Sequence, residues 1–147
     1  MSKIPVSSIE VRSFAHATED PDKVMEATKR IFPTDSLEEV EFRRTSLKGH
    51  YGNPITLFEA KIKEEKTIKG LIDNLFPRIS AVDKESVLRE IGLHVEKGSL
   101  YLRLDKQAAL HGDVKLCTAD PIRVRIRFKK GGVEDIVKVC REFGMLP

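Results

Sequence analysis

Ile122-Arg123-Val124-Arg125-Ile126-Arg127-Phe128 decides how this chain is read. Strand side chains alternate, so the segment sends Ile122, Val124, Ile126 and Phe128 to one face and its three arginines to the other. Lys129 and Lys130 prolong the basic run, with no acid inside it. Arginines two apart in a strand stand about 6.6–6.8 Å from each other, comparable to successive phosphates of an extended nucleic-acid strand. The guanidinium also offers a planar fork for phosphate oxygens and a flat surface for stacking. The competing reading is a solvated outer face or a charge-guarded edge strand, with Glu10 and Glu41 as cross-strand partners.

Outward from that strand, other alternating segments appear. Residues 8–17 place Ile9, Val11, Ser13 and Ala15 on one side and Glu10, Arg12, Phe14 and His16 on the other. Residues 39–47 and 55–62 read as an antiparallel hairpin around Gly49-His50-Tyr51-Gly52-Asn53-Pro54. In 99–104, Leu100, Leu102 and Leu104 point one way and Tyr101 and Arg103 the other, after a turn at Lys97-Gly98. Helical spacing recurs after Thr18-Glu19-Asp20-Pro21 up to Pro33, over 66–76, and over 83–91 with Asp83 as cap and Ser86 exposed. There Val87, Leu88 and Ile91 are the expected buried positions. Asp105 to Gly112 reads as one capped helical turn, and 133–143 as a closing helix whose end charges suit its dipole. Residues 1–7 form a lead-in. The whole, 1–147, is expected to be one two-layer α+β domain, a mostly antiparallel sheet with helices on one face. Its other face is open to water, and function is sought there.

Around Arg123, Arg125 and Arg127, the expected occupants of that face are Arg12, Arg103 and Tyr101, cations with an aromatic among them. Single-strand binders use that mixture to track phosphates and stack bases. Phe14 is ambiguous between this face and the core. The 49–54 loop follows Arg43, Arg44 and Lys48; its glycines allow close backbone approach to a phosphate, with His50, Tyr51 and Asn53 at its tip. An ordinary hairpin loop reads equally well. It is not a P-loop, lacking Gly-Lys-Ser/Thr and a following helix.

The 147 residues are 40% hydrophobic and 33% charged, enough to bury a core under a well-solvated surface. The formal charge of +3 is too mild to announce a nucleic-acid binder, so its distribution matters more than its total. No apolar run approaches the ~18–20 residues of a membrane span, and the N-terminus has no secretory pattern. The cytoplasm is therefore the expected location. Asn53, Asn74 and Gln107 are the only side-chain amides. That scarcity beside abundant Lys, Glu and Arg suggests a hot-living source.

Catalytic patterns are weak. The four histidines are scattered, and Cys117 and Cys140 form neither a disulfide framework nor a metal knuckle. No metal or cofactor is expected. Asp105, Asp113 and Asp120 are close in sequence, as a magnesium-dependent enzyme on a phosphate-bearing substrate would need, although turn-capping is their commoner task.

His16-Ala17-Thr18-Glu19-Asp20, Gly49-His50-Tyr51-Gly52-Asn53-Pro54-Ile55 and Leu100-Tyr101-Leu102-Arg103-Leu104-Asp105-Lys106-Gln107-Ala108-Ala109 follow one another in an order and context that carry a resemblance. Over about residues 8–128 the chain resembles an archaeal family of RNA-binding proteins linked on genomic grounds to the exosome. The resemblance implies a fold similar to that of the large-subunit ribosomal protein that binds 5S rRNA. It also implies RNA as partner, exosome or ribosomal components as further partners, and no established enzyme activity. Lys106 and Gln107, in the third motif, suit RNA contacts as a phosphate cation and a two-way amide. The expected function is thus a non-catalytic RNA-binding accessory factor in RNA processing, degradation or ribosome-related metabolism. Two rivals stand beside it: a subunit docking an acidic protein, and the metal-dependent enzyme. An edge-strand dimer is compatible with all three.

Overall fold

The computed structural model describes residues 5–49, 51–129 and 131–147; His50 and Lys130 lie outside them. Six antiparallel strands make one sheet in the order β2-β3-β1-β6-β5-β4. They are β1 (Val6–Ala15), β2 (Phe42–Lys48), β3 (Pro54–Ile62), β4 (Val95–Glu96), β5 (Ser99–Leu104) and β6 (Ile122–Phe128). Burial alternates strictly along β6: Ile122, Val124 and Ile126 are fully buried, and the arginines between them reach solvent. The two-layer α+β architecture expected from the alternation is the one observed.

The helices cover the apolar face. They are α1 (Pro21–Lys29), α2 (Glu65–Leu75), α3 (Ala81–Arg89), α4 (Ile91–His94), α5 (Lys106–Leu110) and α6 (Val133–Glu142). Ile68, Leu71, Ile72 and Leu75 recur at helical spacing on α2 and enter one core with Val11, Leu102, Val124 and Ile136. Each such side chain, fully buried, contributes about 1.5–3 kcal/mol before the entropy of ordering is counted. A smaller cluster, Ala15, Val24 and Phe58, lies between α1 and the sheet. Among the buried side-chain polar atoms of the described residues only Arg12 Nε lacks a hydrogen-bond partner. The Thr28 hydroxyl donates to Val24 O at 2.8 Å, so the buried Ser13 hydroxyl, also 2.8 Å away, donates to Thr28.

Local signals explain most element ends. Asp20 caps α1 by accepting from Asp22 N, with Pro21 at the first helical position. The α3 cap differs from the expected Asp83: Ser80 Oγ accepts from Asp83 N at 3.1 Å, and Asp83 sits in the first turn. Its carboxylate instead accepts from Leu116 N, 3.3 Å away, in the loop before β6. Val87 is buried as expected, whereas Ser86, Leu88 and Ile91 are only half-buried. Arg78, in a short 3-10 turn after α2, ties the helical layer together. Its guanidinium donates to the carbonyls of Asn74, Gly112, Arg30 and Ile31 at 3.0–3.3 Å. Burial lowers its pKa. No helix among the described residues is long and apolar enough to cross a membrane.

Candidate nucleic-acid interface

Strand register fixes which side chains are neighbours on the open face. One row runs Arg43, Glu59, Arg12, Arg123, Arg103 across β2, β3, β1, β6 and β5. The next runs Lys61, Glu10, Arg125, Tyr101, and the third pairs Ser8, Arg127 and Ser99. The open face is therefore divided. Over β1 and β3, Arg12 is neutralised by Glu59 at 2.8 Å and Glu10 at 3.6 Å. Over β6 and β5, Arg103, Arg123, Arg125 and Arg127 have no ion-pair partner among the described residues.

Tyr101 is the centre of that cationic half. The guanidinium carbons of Arg123 and Arg125 lie 5.7 and 5.8 Å from its ring centroid. Such contacts orient both arginines without consuming their charge. Arg125 Nε also donates to Ser99 Oγ at 3.1 Å. Arg123 and Arg103 are directly opposed, as are Arg12 and Arg123. Like charges facing each other across strands are destabilising, so an anion bound between them would relieve a cost built into the fold.

Other expected residues fall elsewhere. Arg44 lies on the helix-covered face, away from the arginine rows: its guanidinium stands 5.5 Å from the Phe58 ring and 4.0 Å from Asp22. Arg43, its neighbour, is exposed on the open face. Phe14 is half-buried on the open face, opposite Leu57, and belongs to neither core cluster. In the loop between β2 and β3, Gly49 N donates to Asn53 O at 2.6 Å and Gly52 takes a positive φ of 78°. Tyr51 at its tip is 87% exposed, and Asn53 is exposed as well.

Lys106 is not displayed to solvent, contrary to a phosphate-contacting cation. Its ammonium donates to the Phe14 carbonyl, to Glu19 Oε1 at 3.1 Å and to Asp120 Oδ2 at 2.7 Å, leaving the side chain 12% exposed. His16 Nε2 lies 3.0 Å from Asp120 Oδ1. The first and third motifs of the sequence thus meet in one cage, while Gln107 next door is exposed. Burial works to raise the Asp120 pKa, but hydrogen bonds and charge from Lys106 and His16 outweigh it, and the net shift is downward.

His16, Glu19 and Asp120 have donor atoms within 4.8 Å of one another, as a metal site would, but the Lys106 ammonium already lies among them. Asp105, Asp113 and Asp120 form no ligand group among the described residues. Asp105 caps α5, accepting from Gln107 N and Ala108 N at 2.8 and 3.1 Å. Burial pushes the Cys140 thiol up to about 12, and burial with the Asp105 charge raises Cys117. Neither is a ready nucleophile at neutral pH. Of the two acids expected as cross-strand partners, Glu10 does pair with an arginine of this face, whereas the Glu59 contact to Arg12, the Ser99 contact and the apolar Leu57 are not shown by the alternation of β6. The Ile55, Leu57, Glu59, Lys61 series in β3 is the signal for Glu59 and Leu57.

Comparison with known proteins identifies relatives of the chain and its family. RNA-binding protein PAB1135 of Pyrococcus abyssi is 38% identical over 146 residues, covering 96% of this chain and 95% of the relative. Uncharacterized protein MJ0213 of Methanocaldococcus jannaschii is 32% identical, with 84% and 85% covered. The crystal structure of protein AF2318 from Archaeglobus fulgidus superposes with a TM-score of 0.78 at 29% identity, over 92% of this chain and 99% of that one. Mth689 from Methanothermobacter thermautotrophicus gives 0.71 at 25%, over 91% and 97%. A family model described as RNA binding matches residues 8–128, which takes in the arginine rows, the hairpin loop and the Lys106 cage, and the chain belongs to that family.

Proposed function

We propose that this chain is a non-catalytic RNA-binding protein whose phosphate-contacting surface is the β6–β5 half of the open sheet face. The observation that carries the reading is the direct opposition of Arg103 and Arg123, with Arg123 and Arg125 over the Tyr101 ring and Arg127 next along β6, none of the four ion-paired among the described residues. Glu10 and Glu59 border that half and repel phosphate from the sheet centre, so the backbone follows β6 rather than crossing all six strands. Family membership and the name of the Pyrococcus abyssi relative support RNA as the polyanion. Few exposed side chains are suited to reading base edges, so selectivity comes from RNA shape or unpaired segments. A place as an accessory factor in RNA processing or degradation, beside exosome or ribosomal components, follows from the motif resemblance.

Fluorescence anisotropy with a labelled single-stranded RNA at several salt concentrations tests this. Neutralising a phosphate contributes about −0.7 to the slope of log K against log salt, so four arginines give roughly −3. Replacing Arg123, Arg125 and Arg127 together by Gln is expected to bring the slope to about −0.7. An unchanged slope in the triple variant would remove the β6–β5 assignment.

A further inference from the structure

The open face carries an apolar strip that phosphate binding does not use. At its hairpin-loop end Thr45, Leu57 and Phe14 are aligned across β2, β3 and β1, and Leu47 faces Ile55 in the next row. Phe14, Ile55 and Leu57 are half-buried, yet none packs against either core cluster. Leu47 is 41% exposed, and Tyr51 projects from the adjoining loop. A face that only needed to be solvated would carry polar groups here, because exposed apolar surface costs about 25 cal/mol per Å2.

The strip begins one residue pair, roughly 6.8 Å, along the strands from the row holding Arg12, Arg123 and Arg103. That juxtaposition selects an occupant combining a flat, weakly polar ring with a phosphate at short reach. A base inside a duplex cannot present its ring face; an unpaired base can. Glu59, next to Leu57 on the same face of β3, repels the phosphate from that side and leaves the β6 side open to it. Lys106 holds the Phe14 carbonyl, so the ring's backbone is fixed before any ligand arrives.

We propose that the strip centred on Phe14 and Leu57 receives an unpaired base of single-stranded RNA whose adjoining phosphate is held by Arg123 and Arg103. The proposal rests on the RNA reading above and narrows it from RNA in general to single strands or unpaired ends.

The test is an anisotropy titration with a short single-stranded RNA, the same RNA carrying one abasic nucleotide scanned through each position, and the corresponding duplex. One abasic position is expected to weaken binding about five- to tenfold. Phe14→Ala should weaken the intact strand by a similar factor, add nothing to the abasic loss, and leave duplex affinity and salt slope unchanged. If Phe14→Ala fails to fold, the abasic scan on the unaltered protein and the milder Leu57→Thr carry the test. Binding insensitive to every abasic position, with the salt slope still dependent on the β6 arginines, overturns the strip and leaves the RNA reading standing. No RNA binding even at low salt overturns both. A dimer seen by sedimentation and abolished by Leu47→Asp assigns the strip to a second copy and also overturns the proposal.

Discussion

Lys106 joins two carboxylates and a backbone carbonyl from three separate segments, and its substitution has two separable consequences. Lys106→Met would leave Glu19, Asp120 and the Phe14 carbonyl without their common donor. Discounting for the partial exposure of both carboxylates, the loss is about 2 kcal/mol, or roughly 4–8 °C in Tm by thermal melting. Because the ammonium is neutralised internally, the salt slope of RNA binding should not move; a flatter slope would put Lys106 on the RNA after all. Asp120 adds a pH dependence. Its folded pKa lies below the ordinary 3.8, so the unfolded chain takes up the proton first as pH falls. The stabilisation is complete above about pH 4–5 and disappears as pH drops through the folded value. Asp120→Asn is therefore expected to flatten the acid limb of an unfolding curve followed by circular dichroism.

Among the elements, the β4–β5 hairpin holds the clearest local strain. Lys97 and Gly98 both take positive φ, 49° and 80°, the pattern of a tight turn matched to strand twist. Lysine tolerates that region poorly and asparagine well, so Lys97→Asn should raise stability by about 0.5–1 kcal/mol, read from the urea midpoint. Gly98 has no such freedom, since a Cβ there would stand 3.3 Å from the Gly131 Cα. The turn itself is legible in the sequence as Lys-Gly between apolar runs, whereas β4 and α4 are not. At two and four residues they are too short for any period to register. The α3 cap shows a different obstacle. Ser80 and Asp83 are both good capping types three residues apart; Ser80 takes the cap, and the Asp83 carboxylate goes to Leu116 N, a donor 33 residues away that local sequence does not reveal.

At the scale of the whole molecule, the same division holds. The two faces of β6 are readable from alternation because each strand position has only two directions to point. The partners that modify the site are not, since they depend on register between distant segments. Glu59, 47 residues from Arg12, removes that arginine from the free cations; Glu19, 87 residues from Lys106, removes the lysine. Arg43 and Arg44 are separated for a related reason: adjacent residues of an edge strand must lie on opposite faces once β2 pairs with β3.

The sheet order carries one more consequence. β1 lies between β3 and β6, so the earliest strand is bordered by the last, and the Ser7 hydroxyl donates to a carbonyl 120 residues downstream, that of Arg127. A chain still being translated therefore holds β1 with one bare edge until β6 emerges. Refolding in stopped-flow experiments should accordingly fall in the slow millisecond-to-second range of topologies dominated by distant pairings. The strand that closes the sheet is also the strand that bears the arginine column. A nascent chain cannot display that column on a finished surface before its fold becomes cooperative, and so the acquisition of structure and the readiness to meet a polyanion are a single event.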